Sequence, residues 1–265
     1  MQYLGEAHLE TLTSARLLGW TLARAFGDPT AVPILERVAE LQQETLGLDN
    51  VYTLGTLSDL AYALSSTDDW RRAVAMQRDL LDCSTRLWGR QHEDTLVCMH
   101  NLAILLHRHT EYDEAVNLQQ EVYGSRLQAF GPLDRRVLTA RGSLAIMLSS
   151  IEGSQDEAYE LMKDAVEKCE EILDPHNYVV LQAVFALLFM LRKQGRFDEL
   201  REVLLRSITK LEDRKNLPHV QEFKRRVDDV LEDLDPGTGN AVTPSGTDNR
   251  LIGSPLTPSP GFSPR

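Results

Sequence analysis

Two kinds of apolar stripe alternate along this chain. Leu54, Leu57, Leu60, Ala61 and Leu64 recur at three- and four-residue intervals, which places them on one face of a helix. A polar break over residues 65–69 follows, and Ala73, Met76 and Leu80 then form a second stripe of the same period. The pattern predicts two amphipathic helices joined by a short turn, with Asp68 or Asp69 placed to cap the second. A shift of 42 positions carries Gly47, Thr53, Leu54, Leu60, Ala61, Leu64, Trp70 and Ala73 onto Gly89, Thr95, Leu96, Leu102, Ala103, Leu106, Tyr112 and Ala115. The helical pair is therefore a repeat, and residues 89–130 are its clearest copy.

The register extends both ways, predicting repeats over residues 5–46, 47–88, 89–130, 131–173 and 174–215. The first departs from the others at Gly19 and at Pro29 and Pro33. Asp28 can cap a helix opening at Pro29, but Pro33 then removes an intrahelical donor, so a later start or a distortion is expected. The fourth gains one residue near Glu152, Gly153 and Ser154, a loop insertion of small cost. In the fifth, Leu188 and Leu200 replace the small alanine. Residues 217–234 then predict a single helix with a narrow stripe, Phe223, Val227, Val230 and Leu234, suited to capping the array. The array thus covers residues 5–234.

From residue 235 to 265 the composition shifts to Pro, Gly, Ser and Thr, too poor in apolar residues to offset the entropy of ordering. This predicts a disordered tail. It carries Thr243, Ser254, Thr257, Ser259 and Ser263, each followed by proline, as candidate phosphorylation sites. A passive linker is the other reading of these pairs.

A helical pair with Leu-Ala in its first helix, an aromatic residue at the turn and Ala in its second resembles the tetratricopeptide repeat. The 42-residue length and the sequence Gly-x-x-His-x-x-Thr-Leu before Asn-Leu-Ala, as in Gly89, His92, Thr95, Leu96, Asn101, Leu102 and Ala103, resemble the longer repeats of kinesin light chains. The resemblance implies an all-α, right-handed superhelix of about five helix pairs plus a capping helix. It also implies a concave groove, lined by first helices, in which Asn101 would contact a bound peptide's backbone. At the equivalent positions this chain has Leu17, Asp59, Ser143 and Ala186, so the family's asparagine ladder is reduced to one member.

With Leu96, Met99, Leu102, Ala103 and Leu106 facing the core, helical geometry puts Val97, Asn101, Ile104 and Arg108 on the opposite side. One level of that side reads Trp20, Tyr62, Ile104, Ile146 and Phe189, and the next turn reads Arg24, Ser66, Arg108, Ser150 and Lys193. The latter line carries no carboxylate in a chain of formal net charge −12. These residues, with Asp59, predict a groove with an apolar ladder and a basic rim for a hydrophobic, acid-flanked peptide. The alternative is that this level packs adjacent first helices together.

Net acidity argues against nucleic acid and anionic membranes as partners. The sequence shows neither a leader peptide nor a transmembrane-length apolar run, so a cytoplasmic protein is expected. Cys83, Cys98 and Cys169 lack metal or disulfide spacing and predict buried thiols. His92, His100, His107 and His109 predict surface or capping residues. No catalytic, cofactor-binding or metal motif is present, and a non-catalytic adaptor is expected. Its alternative is a structural or regulatory portion of a larger assembly, with a homodimer mate or upstream domain covering an uncapped N-terminal edge.

Overall fold

A computed structural model describes residues 8–65, 67, 69–211 and 216–232. The tail from 235 to 265, with its five candidate phosphorylation sites, lies outside the described residues, as do Ser66 and Asp68. The described residues form helices without strands: α1 (Leu9–Thr21), α2 (Ala31–Leu46), α3 (Val51–Leu64), α4 (Trp70–Trp88), α5 (Glu93–Arg108), α6 (Tyr112–Phe130), α7 (Arg135–Leu148), α8 (Gln155–Ile172), α9 (Tyr178–Lys193), α10 (Phe197–Lys210) and α11 (Pro218–Glu232). They fall into two compact units that divide within α6, after Leu118. In the N-terminal unit α1 packs on α2, α2 on α3, α3 on α4 and α4 on α5. In the C-terminal unit α7 packs on α8, α8 on α9, and both α10 and α11 on α9.

The Gly-x-x-His-x-x-Thr sequence is a helix-initiation device. Its histidine is an N-cap: His92 Nδ1 accepts the Asp94 N–H at 3.3 Å, and His8 does the same for Glu10. Asn50, Asp134 and Asn177 cap α3, α7 and α9 from the corresponding positions, each accepting an N–H two residues on. An N-cap needs only a short acceptor on extended backbone, so residue type varies while the role persists. The threonine ties the cap back, with Thr95 Oγ1 donating to the Gly89 carbonyl at 2.8 Å and Thr53 Oγ1 to that of Gly47 at 2.9 Å. Gly89 ends α4 at φ +87°, a conformation that side-chain-bearing residues rarely adopt.

Apolar burial follows the predicted stripes. Leu96, Met99, Leu102, Ala103 and Leu106 are buried, as are Ala73, Ala115 and Ala158 where helices approach closely. The buried glutamines were not visible in the stripe pattern: Gln77 Nε2 donates to the Cys98 carbonyl at 3.2 Å, and Gln119 Nε2 to that of Ala140 at 2.9 Å. They sit 42 residues apart and each binds the backbone of the first helix that follows.

Helix α2 starts at Ala31, which puts Pro33 in its first turn, where an N–H has no intrahelical partner to lose. Asp28 instead accepts from the Thr30 backbone and hydroxyl. At Gly19 an added Cβ would sit 2.7 Å from Leu35 Cγ, so this departure from the repeat permits the α1–α2 approach. A π-helical turn, Leu22–Phe26, follows α1.

Two expectations are corrected. Asp69 occupies the N-cap position of α4 but makes no side-chain cap, because its backbone at ψ 30° is not extended as such a bond requires. Its N–H is taken by Thr67 Oγ1. His100 and His107 are buried, not surface residues, since α5 is enclosed on every side from Thr95 to His107. His109 stacks on Trp70 with ring centroids 4.0 Å apart, and burial together with Arg108 and Arg71 lowers its pKa. Cys83, Cys98 and Cys169 are buried thiols, and burial pushes Cys98 up to about 11.

Candidate functional site

First helices alternate with second helices along the chain, so the described groove residues sit on α1, the π-helical turn after it (Arg24), α3 and α5 in one unit and on α7 and α9 in the other. In the N-terminal unit most are engaged. Asp59 is buried and bound by Arg16 Nε at 2.6 Å, linking α3 to α1. Gly55 leaves the room: a Cβ there would lie 2.7 Å from Arg16 Nη1. Burial raises the Asp59 pKa, only partly opposed by Arg16. Asn101 Nδ2 reaches Ser58 Oγ at 3.4 Å, linking α5 to α3, while Asn101 Oδ1 has no hydrogen-bond partner. Arg108 Nη1 donates to Ser65 Oγ at 3.3 Å.

Each of these pairs spans 43 residues, from one first helix to the next. The same stitch recurs in the C-terminal unit, where Lys193 Nζ approaches the Ser149 carbonyl at 3.4 Å. Ser65 and Ser149 are the C-caps of α3 and α7. The line without a carboxylate thus has a structural reason at these positions: a basic side chain at the C-terminus of the preceding first helix is favoured by the helix dipole.

The apolar ladder divides likewise. Val97, Asn101 and Ile104 are 4%, 3% and 3% exposed, which corrects the expectation that they line an open face. Tyr62 is half-buried against the cluster of Ala23, Leu35, Leu60 and Ala73, and Trp20 is half-buried with the Arg24 guanidinium 5.3 Å from its ring.

In the C-terminal unit the same level opens. Ile146, Ser149 and Ser150 of α7 and its C-terminal turn, with Phe185, Ala186, Phe189, Met190 and Lys193 of α9, line a pocket of about 50 Å³. Ile146 and Phe189 are half-buried and Lys193 is exposed at the rim. Ala186 stands where Asn101 stands in α5, so a methyl group replaces a carboxamide on this wall. Phe185 and Met190 were missed in the sequence, although Phe185 lies one turn before Phe189 and so shares its face. Among the described residues there is no cluster of His, Cys, Asp and Glu fit to hold a metal ion, and no helix is long and apolar enough to cross a membrane.

Paired antiparallel helices, a 42-residue step and stitches between successive first helices define a helical-repeat protein of the tetratricopeptide solenoid fold. Residues 53–94 and 95–133 match the family model described as tetratricopeptide repeat. Two crystal structures of nearly identical TPR-like repeats from a Podosopora anserina kinesin light chain superpose with TM-scores of 0.65 and 0.64. They are 20% and 21% identical, over 81% and 79% of this chain and 100% and 99% of theirs. BtubC (BKLC) from P. vanneervenii superposes with a TM-score of 0.54 at 16% identity, over 80% of this chain and 92% of its own. In sequence, the chain is 22% identical over 191 residues to a clustered mitochondria protein homolog from Culex quinquefasciatus. That match covers 68% of this chain but only 14% of the Culex protein.

Proposed function

We propose that this chain is a non-catalytic adaptor that holds a peptide segment of a partner protein against the first-helix face of its C-terminal unit. The observation that carries this reading is the pocket between α7 and α9. It is apolar where Ile146, Phe185, Phe189 and Met190 meet, small-walled at Ala186, and cationic at one edge through Lys193. Such a site takes the tip of an aliphatic side chain beside an acidic residue.

Burying about 60 Å² of apolar surface there contributes about 1.5 kcal/mol, and an exposed ion pair with Lys193 contributes less than about 1 kcal/mol. Neither term alone holds a peptide, so backbone hydrogen bonds must supply the rest. The unpartnered Asn101 Oδ1 is an acceptor suited to a peptide N–H, as the kinesin light chain resemblance implies, but reaching it requires the buried face of α5 to open. The pocket needs no such change and is the primary contact.

The test is calorimetric titration with synthetic peptides bearing one leucine or isoleucine flanked by glutamates. Phe189→Ala is expected to weaken binding about tenfold, and Lys193→Glu several-fold, the latter effect shrinking at high salt. Circular dichroism should show both variants folded. Equal affinity across all three proteins would remove the assignment.

A second reading rests on α1, where Leu9, Leu17 and Leu18 are 43%, 61% and 53% exposed. These leucines fit a docking edge for another copy or another domain within a larger assembly. Light scattering separates the two readings: a monomer whose peptide affinity is independent of concentration supports the adaptor alone.

A further inference from the structure

The leucines of α1 stand at positions that the next two repeats bury. Leu18 is exposed, whereas Leu60 and Leu102, one and two repeats on, are 3% and 1% exposed. Leu17 and Ser14 are exposed as well, and their counterparts Asp59, Asn101, Thr56 and Cys98 are buried. In α3 and α5 the preceding helix pair covers this arc. The Thr56 hydroxyl donates to Gln42 of α2, and Gln77 of α4 donates to the Cys98 carbonyl. Asp59 and Asn101 meet Arg16 and Ser58 of the preceding first helix.

Helix α1 does not carry the polar groups of that stitch. Leu17 stands where Asp59 and Asn101 do, and Arg24, the counterpart of Arg108, lies against Trp20. The arc is therefore apolar where a stacked repeat meets a polar partner. We infer that two copies of this chain meet through α1 in an antiparallel, two-fold contact centred on Thr13, which sets Leu9 of one copy beside Leu17 of the other. The inference rests on the docking-edge reading of α1 given above and names the occupant of that edge.

The face is self-complementary. Leu9, Thr13 and Leu17 follow at four-residue steps, so a two-fold axis at Thr13 exchanges the two leucines. Antiparallel pairing also sets the helix dipoles head to tail. The hydroxyls on this face need no water, because Thr13, Ser14 and Thr21 donate to the carbonyls of Leu9, Glu10 and Leu17, each at 2.8 Å. Charge permits the approach: in a chain of net charge −12, Glu10 is the one carboxylate on α1. The two Glu10 side chains would be offset by about 9 Å along the helix axis, far enough for salt to screen them. A 13-residue helix is about 20 Å long. A contact of that extent falls below about 1,200 Å² in total, the class of weak and transient complexes.

The test is sedimentation velocity on the full chain from about 1 to about 300 μM, where a small interface of this class dissociates. A concentration-dependent dimer is expected. Leu17→Glu combined with Leu18→Glu should remain monomeric throughout, with an unchanged circular dichroism spectrum. Under mild oxidation Thr13→Cys should give a disulfide-linked dimer, because the axis brings the two thiols together, whereas Thr45→Cys on α2 should not. The native thiols are buried and stay out of this reaction. A dimer that the glutamates leave intact and Thr13→Cys does not link overturns the inference by placing the contact elsewhere. A chain that is monomeric throughout overturns it as well, and fluorescence of an anilinonaphthalene dye then judges the broader reading. A signal that the glutamates reduce keeps α1 as an edge for another domain, and an unchanged signal removes the edge too.

Discussion

The first-helix faces of the two units carry the same positions and treat them differently. In the N-terminal unit the site of the repeat asparagine holds Asp59, locked by Arg16, and Asn101, bound to Ser58, and both are buried. In the C-terminal unit that position is Ser143 in α7, which is buried, and Ala186 in α9, which has a pocket beside it. At Asp59 and Asn101 the polar side chain fastens one first helix to the next, whereas the methyl group of Ala186 makes no such bond. The residue at this position thus differs in what it does from repeat to repeat: Asp59 and Asn101 tie helices together, while Ala186 walls a pocket.

The largest expected effect tests the closed half. Arg16→Ala strands a buried carboxylate and should lower stability by about 3 kcal/mol at pH 7, measured by denaturant unfolding. The sign of its pH dependence follows from Asp59, whose folded pKa lies above the ordinary value through burial. Between the unfolded and folded values the native state retains a proton that the unfolded chain has released, so this contribution to stability falls as pH rises. Without Arg16 that window extends upward, and the loss should be smaller at pH 5 than at pH 7. Asp59→Asn in the same background should recover much of it; failure to recover would mean that Arg16 acts through packing alone.

An intermediate effect tests the open half. Ala186→Asn restores the residue that α5 carries at this position, yet it should weaken the leucine peptide several-fold by placing a carboxamide against an apolar ligand. Tighter binding would show instead that backbone hydrogen bonding outweighs the apolar pocket.

The smallest concerns a device that both units share. His92→Ala and Asp134→Ala should each cost about 1 kcal/mol in thermal or denaturant unfolding, since each removes an N-cap acceptor. A much larger loss in one unit would show that its caps also hold neighbouring helices in place.

The helices, their pairing and the 42-residue step were legible because core positions must recur with helical period, and a repeat repeats its core. The capping role of Gly-x-x-His was only half legible: the motif was plain, but histidine, asparagine and aspartate are interchangeable there only once the bond to the N–H two residues on is seen. The groove was legible as a level but not as a surface. Helical geometry put Val97, Asn101 and Ile104 opposite the core stripe, and tertiary packing buried them all the same.

Sequence alone determined that helices stack in pairs, because amphipathic stripes cannot be left in water. Tertiary structure alone decided which outward residues become stitches and which border a pocket. That outcome depends on distances between first helices 42 or 43 residues apart, where Arg16 reaches Asp59 and Ala186 reaches nothing polar, and no local pattern encodes those distances.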